Sequence, residues 1–339
     1  MLIKTIENRN NDYKPIWFMR QSGRHLKEYN NLRKKHSDFL TFCLSEKSII
    51  EATLIPVKKY DLDAAIIFSD ILIVPWLLGQ HVTFIKELGP QLSPIEFNNH
   101  FLNKTLDLTK IISISNAIKS LKLQLDSNTN LIGFSGAPWT LACYMIEGGG
   151  SKNFEKTRKT LWDEEKKFFR IIDKLIYAVT DFLEFQVKSG VDLLMIFDTW
   201  SHMIPIDFWK KLSIIPTQKI LKELRRRGVK CPVIGFPFKA GEKLIEYSYE
   251  SNVDVISIDW NTDLSWVCKN INPSIVTQGN LDPLSLCTKT FFEAKISVEK
   301  ILETVKNRTH IFNVGHGLTP SCRVENVKKV ISLVRKWNR

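Results

Sequence analysis

The chain has 339 residues, 44% of them hydrophobic, and its excess of Lys and Arg over Asp and Glu gives a formal charge of +12. That composition supplies a full core and excludes an intrinsically disordered chain. No apolar run reaches membrane-spanning length, and the six scattered cysteines, without any C-x-x-C pair, read as free thiols rather than a disulfide framework or a zinc site.

The basic balance admits nucleic acid, anionic lipid or a polyanionic small molecule as partner. The runs Arg33-Lys34-Lys35 and Arg225-Arg226-Arg227 fall in helix-like segments and read as solvated faces. The segment Met1 to Asn11 is polar and short, without the apolar stretch of a signal peptide, so a cytoplasmic protein is expected.

In chain order, the first predicted strand is Trp17 to Arg20. It delivers two arginines, Arg20 and Arg24, separated by Gln21, Ser22 and Gly23. Gly23 permits a tight turn and close approach of a ligand. Two guanidinium forks suit paired carboxylates or phosphates, so this stretch reads as an anion clamp. Glu46 to Tyr60 follows as a helix with Ser45 as N-cap. The second strand, Ala64 to Phe68, ends at Ser69-Asp70. Val82 to Leu92 reads as an inserted hairpin turning at Gly89-Pro90.

A helix near Leu106 to Leu123 leads to the strand Leu131 to Phe134. The stretch Ser135-Gly136-Ala137-Pro138 then opens a helix carrying Tyr144, and its N-terminus offers backbone donors to an anion. Gly148-Gly149-Gly150 is a flexible break, either a simple loop or a lid hinge. Two helical patterns, Trp162 to Tyr177 and Val179 to Ser189, precede the strand Leu193 to Phe197. Further strands are Val233 to Phe236, Val255 to Ile258, Ile275 to Gln278 and Ile311 to Val314, and a last amphipathic helix runs from Val324 to Trp337.

Eight apolar strands alternating with helices predict an α/β fold with a parallel sheet covered by helices. The closed (β/α)8 TIM barrel, one domain over residues 1–339 with insertions, is the expected form. An open doubly wound sheet is the alternative, weakened by the lack of a G-x-G-x-x-G after an early strand. Barrel enzymes work at the C-terminal ends of their strands. Those ends carry Arg20 and Arg24, Asp70, Ser135-Gly136, Asp198-Thr199, Phe238-Lys239, Asp259, Asn280 and His316. Two readings stand for Asp70: a salt-bridge partner of the arginines, or an acceptor for a ligand's N–H groups. His316, between Gly315 and Gly317, is either packed or functional.

The stretch from Pro15 to Tyr29 resembles the N-terminal signature of the uroporphyrinogen decarboxylase family, P-x-W-x-M-R-Q-A-G-R-Y-L-P-E-Y. It departs at Ser22, His25 and Lys27 without loss of charge or glycine. Phe68-Ser69-Asp70-Ile71-Leu72, Gly133 to Tyr144, Ile196 to Trp200, Gln278 to Pro283 and Asn313 to Gly317 also match that family's ordered motifs. Ser321-Cys322-Arg323-Val324 stands where the family usually has a Pro-containing turn.

The resemblance implies a (β/α)8 barrel, usually a homodimer, acting as a carboxy-lyase in haem biosynthesis. It implies removal of the four acetate carboxyls of uroporphyrinogen III to give coproporphyrinogen III and carbon dioxide, without a metal or organic cofactor. It makes Asp70 and Arg20 catalytic. It places substrate contacts at Arg20, Gln21, Ser22, Gly23, Arg24, Asp70, Tyr144, Thr199 and His316, with Phe197 and Ile67 as lining. Zinc-dependent methyltransferases of the same fold need a thiolate-rich site, and none of the seven histidines precedes a cysteine by two positions. Neither an RNA-reading motif nor a basic-aromatic platform is present, so nucleic acid is not an expected partner.

Overall fold

The computed structural model describes residues 1–9, 12–85 and 87–338. The strands in chain order are β1 (Ala64–Ile66), β2 (Val82–Ile85), β3 (Gly89–Leu92), β4 (Asn130–Gly136), β5 (Leu193–Asp198), β6 (Val233–Pro237), β7 (Val255–Ser257), β8 (Val276–Leu281) and β9 (His310–Val314). Strands β2 and β3 form an antiparallel hairpin, and the other seven make one parallel sheet in the order β1-β4-β5-β6-β7-β8-β9. Each strand of that sheet is an almost unbroken run of buried residues, as a sheet covered by helices requires.

The ring is completed by Pro15 to Met19. The Phe312 N–H donates to the Pro15 carbonyl at 2.7 Å, and Ile16 pairs parallel with Phe312. On the other side the Asp63 N–H donates to the Ile16 carbonyl at 2.9 Å. This eighth stave makes a single bridge rather than the full strand expected at 17–20, because Asp63, Asn313 and Gln21 side chains take over its remaining backbone bonds. The Ile16 N–H donates to Asp63 Oδ2 at 2.7 Å, the Met19 N–H to Asn313 Oδ1 at 2.9 Å and the Phe18 N–H to Gln21 Oε1 at 3.2 Å.

The seam is sewn from outside as well. Asp63 also accepts from Tyr13 and from Arg335 on the helix Val324–Trp337, and Asn338 exchanges two bonds with the Lys14 backbone. Inside the barrel the Trp17 indole donates to Gln278, whose amide donates to Ser257. That chain joins the eighth stave to β8 and β7 and leaves no polar end of Gln278 unpaired, which an apolar interior demands.

Several expected boundaries move. The hairpin turns at Glu87 and Leu88, with Glu87 at φ 73°, while Gly89 and Pro90 already belong to β3. The two helical patterns after Trp162 are one helix, Glu165–Ser189, running through Ala178 without a break. Ser45 sits at the N-cap of the helix Glu46–Lys59 but makes no capping bond. Gly148–Gly150 is tied rather than loose: Gly148 caps the helix Pro138–Glu147 at φ 82°, its carbonyl accepts from Leu92, and Gly149 bridges to Gln91. Arg227 is not a solvated charge. It gathers Asp181, Glu184 and Glu223 and fastens the helix Ile215–Arg226 to Glu165–Ser189.

Candidate active site

Arg20 follows directly on the eighth stave. The turn is held by its neighbours, not by Arg20 itself. The Gln21 amide is wedged between the Phe18 N–H and the Ala64 carbonyl and is fully buried. The Ser22 hydroxyl donates to the Ala52 carbonyl at 2.7 Å. Both residues are expected at the substrate, and their side chains are bonded to the scaffold. Gly23 serves the turn by absence, since a Cβ there would stand 3.0 Å from the Arg20 carbonyl.

Arg20 is thereby forced to φ 56°, a left-handed conformation that costs a non-glycine residue about 1–2 kcal/mol. Its stem lies against Gly317, where a Cβ would come within 2.6 Å of Arg20 Cδ. The Leu318 N–H donates to the Met19 carbonyl at 2.9 Å, so the loops after the eighth stave and after β9 move as one. Arg20 and Arg24 are both exposed, and among the described residues neither has an ion-pair partner. Beneath Arg24, His25 stacks on Tyr60, and burial with Lys59 nearby lowers its pKa to about 4.

Asp70 lies just beyond β1. Its Oδ1 accepts the Leu72 N–H at 2.9 Å. Neither arginine stands within ion-pair distance of it, which removes the salt-bridge reading. The side chain is half-buried by surface area, yet its surroundings desolvate it strongly; it is a carboxylate at the floor of a recess. Burial pushes its pKa up to about 6, with the Leu72 N–H and the charge of Arg20 pulling the other way. Tyr144, on the helix Pro138–Glu147, is pushed up to about 12 by burial and then by the negative charge of Asp70. Asp70, Arg20 and Tyr144 thus sense one another electrostatically.

Thr199 follows β5, half-buried. The residue before it, Asp198, stands at the strand end in the sequence reading without a role of its own. It is buried and accepts from Thr140 Oγ1 at 2.8 Å and Ser213 Oγ at 3.0 Å. Burial raises its pKa to about 7. Thr140 in turn accepts the Trp200 N–H at 3.1 Å. Asp198 therefore fastens the helix start Pro138–Thr140 to the end of β5 and sets the angle at which Thr199 and Trp200 leave it.

An arc of rings completes the barrel mouth. Phe134 meets Phe197 at 5.5 Å, Phe197 meets Phe236 at 6.3 Å, and Phe236 meets Phe238 at 5.6 Å. Phe238 lies 4.7 Å from the His316 ring and 5.2 Å from Trp260. His316 is half-buried, and burial, then the charges of Arg20 and Lys239, lower its pKa to about 3. It is a neutral imidazole at physiological pH. Lys239, at the end of β6, adds a further cation at φ 57°. The pattern Phe238-Lys239 was visible at a strand end without marking Lys239 for a role. Ile67 is buried in the barrel wall.

The arrangement offers a recessed carboxylate, unpaired cations around it and an aromatic wall, which suits a flat polyanion with a protonatable or N–H-bearing centre. Among the described residues no three His, Cys, Asp or Glu side chains converge as a metal site requires, and no helix is long and apolar enough to cross a membrane. A hollow of about 390 Å³ lies on the outer helices beside Lys104, Arg170, Lys174 and Asp181 and shares no residue with the mouth.

Residues 1–337 match the family model described as uroporphyrinogen decarboxylase (URO-D). The chain is 36% identical over 323 residues to the uroporphyrinogen decarboxylase of Maricaulis maris, covering 95% of this chain and 93% of that protein. It is 39% identical over 338 residues to that of Helicobacter pylori strain J99, covering 96% of each. Among solved structures, a methyltransferase from Methanosarcina mazei superposes with a TM-score of 0.79 at 14% identity, covering 100% of this chain and 98% of that one. At that identity the likeness speaks for the barrel fold alone.

Proposed function

Because this chain belongs to the uroporphyrinogen decarboxylase family, we propose that Asp70 is the centre of its decarboxylation chemistry and that Arg20 and Arg24 hold the substrate's acids. The reaction converts uroporphyrinogen III to coproporphyrinogen III by loss of the four acetate carboxyls as carbon dioxide. In each round a pyrrole carbon takes up a proton and the ring becomes cationic. The bond from acetate methylene to carboxylate then breaks, and its electron pair flows into the ring. The exocyclic methylene is protonated to a methyl, and the ring carbon releases its proton, so one proton is consumed per carboxyl lost. The macrocycle supplies its own electron sink.

The enzyme's task is to bind, orient and stabilise charge. Asp70, with its second oxygen directed to no protein donor among the described residues, accepts the pyrrole N–H groups and balances the cationic ring. A carboxylate that pays a desolvation cost in the free enzyme gains most when that cation forms. Arg20 and Arg24 receive carboxylates, each charge-assisted contact being worth roughly 1.5–3 kcal/mol. Arg20, whose charge acts on Asp70, also helps deliver a proton in this reading. Tyr144, Thr199 and neutral His316 complete the wall as hydrogen-bonding groups, Gly23 keeps the clamp turn tight, and Phe197 lies against the ring plane.

The observation that carries this reading is the recessed Asp70 carboxylate, unpaired by either arginine yet within the field of Arg20. Anaerobic incubation with uroporphyrinogen, followed by chromatography of the oxidised products, tests it. Hepta- through tetracarboxylate products are expected; recovery of unchanged octacarboxylate overturns the reading. Two further features belong to it. A homodimer is supported by exposed Phe292 and Ile296, one helical turn apart on the same face, and sedimentation checks it. A cytoplasmic location is supported by six free thiols.

A further inference from the structure

Lys239 is the one mouth cation that the reading above leaves idle. It follows β6 and is exposed, and its backbone adopts φ 57°. That conformation is maintained by Asp259. The Asp259 carboxylate accepts the N–H groups of Lys239 at 3.2 Å and Asn261 at 2.9 Å, and the Thr262 hydroxyl at 2.9 Å. Asp259 spends its oxygens on the loop and not on the ammonium. Among the described residues Lys239 has no ion-pair partner.

Its Nζ instead lies 5.4 Å from the Phe238 ring centre and 5.6 Å from that of Trp260. Those same rings face His316, at 4.7 Å and 6.0 Å. Arg20 lies along Gly317, the residue after His316, and its charge acts on that imidazole as the Lys239 charge does. Arg20 and Lys239 are therefore a matched pair. Each is an unpaired, exposed cation held in left-handed backbone by a neighbour's side chain, and the charge of each acts on the His316 imidazole. Backbone strain of this kind persists where surrounding structure imposes it, and it concentrates at ligand sites.

Resting on the uroporphyrinogen reading, we propose that Lys239 is a third carboxylate-binding group, receiving a peripheral side-chain acid of the macrocycle beside the Phe238 and Trp260 rings that also face His316. A macrocycle with acids around its whole rim needs anchors on more than one side, and the arginine clamp supplies only one. Lys239 is a binding residue in this scheme and takes no part in proton transfer. Lys243, half-buried with its Nζ 4.8 Å from the Trp209 ring, has a different aromatic partner and serves as the control.

The test compares Lys239→Met, Lys239→Arg and Lys243→Met with the wild type, after thermal melts establish that all four fold. For Lys239→Met, KM for uroporphyrinogen is expected to rise about ten-fold, equivalent to about 1.4 kcal/mol, with kcat nearly unchanged. Lys239→Arg should restore most of the loss, and Lys243→Met should match the wild type. Binding of uroporphyrin, an oxidised and unreactive octacarboxylate, is followed in parallel by fluorescence quenching and should weaken by the same factor in Lys239→Met. An unchanged KM and unchanged uroporphyrin affinity in Lys239→Met, beside an active wild type, overturn the assignment of Lys239 alone. A wild type that binds uroporphyrin but releases no carbon dioxide overturns the decarboxylase reading; weaker uroporphyrin binding by Lys239→Met would still uphold the anion site.

Discussion

Asp70→Asn should produce a protein that is more stable and nearly inactive. The carboxyl's pKa is raised from its ordinary 3.8 to about 6, first by burial. A raised carboxyl pKa means that the folded state binds a proton more tightly than the unfolded one. Stability is then full below about pH 4 and is lost as pH climbs through about 6. At about pH 8 the ionised side chain costs roughly 2 pKa units, or about 3 kcal/mol, and residual solvent contact reduces this to about 1.5–3 kcal/mol. Asparagine removes the charge, keeps the shape and still accepts the Leu72 N–H. At about 2 cal/mol/K per residue of unfolding entropy, the variant should melt about 2–4 °C higher near pH 8 and match the wild type near pH 4. Turnover should fall by about a hundred-fold or more, as for loss of a group that stabilises transition-state charge. Calorimetry across pH and product chromatography read the two effects. A variant that is no more stable than wild type near pH 8, or one that keeps near-normal turnover, refutes the account of a carboxylate held at energetic cost for the sake of a cationic ring.

Three other perturbations follow. Arg24→Ala should raise KM for uroporphyrinogen by about ten-fold or more, the value of one charge-assisted contact; unchanged KM and kcat would return Arg24 to the solvated surface. Gly317→Ala and Gly315→Ala should part company. At 317 the new methyl meets only the flexible Arg20 stem, so the fold should survive while activity drops, whereas at 315 it meets the Trp260 backbone N at 2.1 Å and melting should fall sharply; equal melting points would contradict this. Arg335→Met leaves the buried Asp63 carboxylate without its ion-pair partner and should cost about 3–5 kcal/mol in urea unfolding. A loss below about 1 kcal/mol would mean that Tyr13 and the Ile16 N–H suffice to hold it.

Periodicity located the barrel because strands such as Leu193–Asp198 are buried on both faces and therefore read as continuous apolar runs. It misjudged the stave at 17–20 because side chains distant in sequence, Asp63 and Asn313, supply backbone partners there. The glycine break at 148–150 looked mobile because composition cannot reveal that β3 lies alongside it. At the proposed site, Arg20, Arg24, Asp70 and His316 were legible as polar groups at strand ends. That the Gln21 and Ser22 side chains bond to the scaffold was not legible, since a motif fixes neighbours in sequence and not the direction of a side chain. Lys239 went unassigned because its distinction is a backbone angle and a missing counterion, and neither is written in residue type.

The sewn seam has a consequence for biosynthesis. Arg20 precedes His316 by most of the barrel, and the two become neighbours only when β9 docks beside Pro15 to Met19. A chain halted between Asp70 and Phe312 carries the arginine clamp and Asp70 but lacks His316 and the β9 edge on which the eighth stave is held. Products terminated before Phe312 are therefore expected to be silent toward porphyrinogens, with activity appearing once β9 closes on the eighth stave.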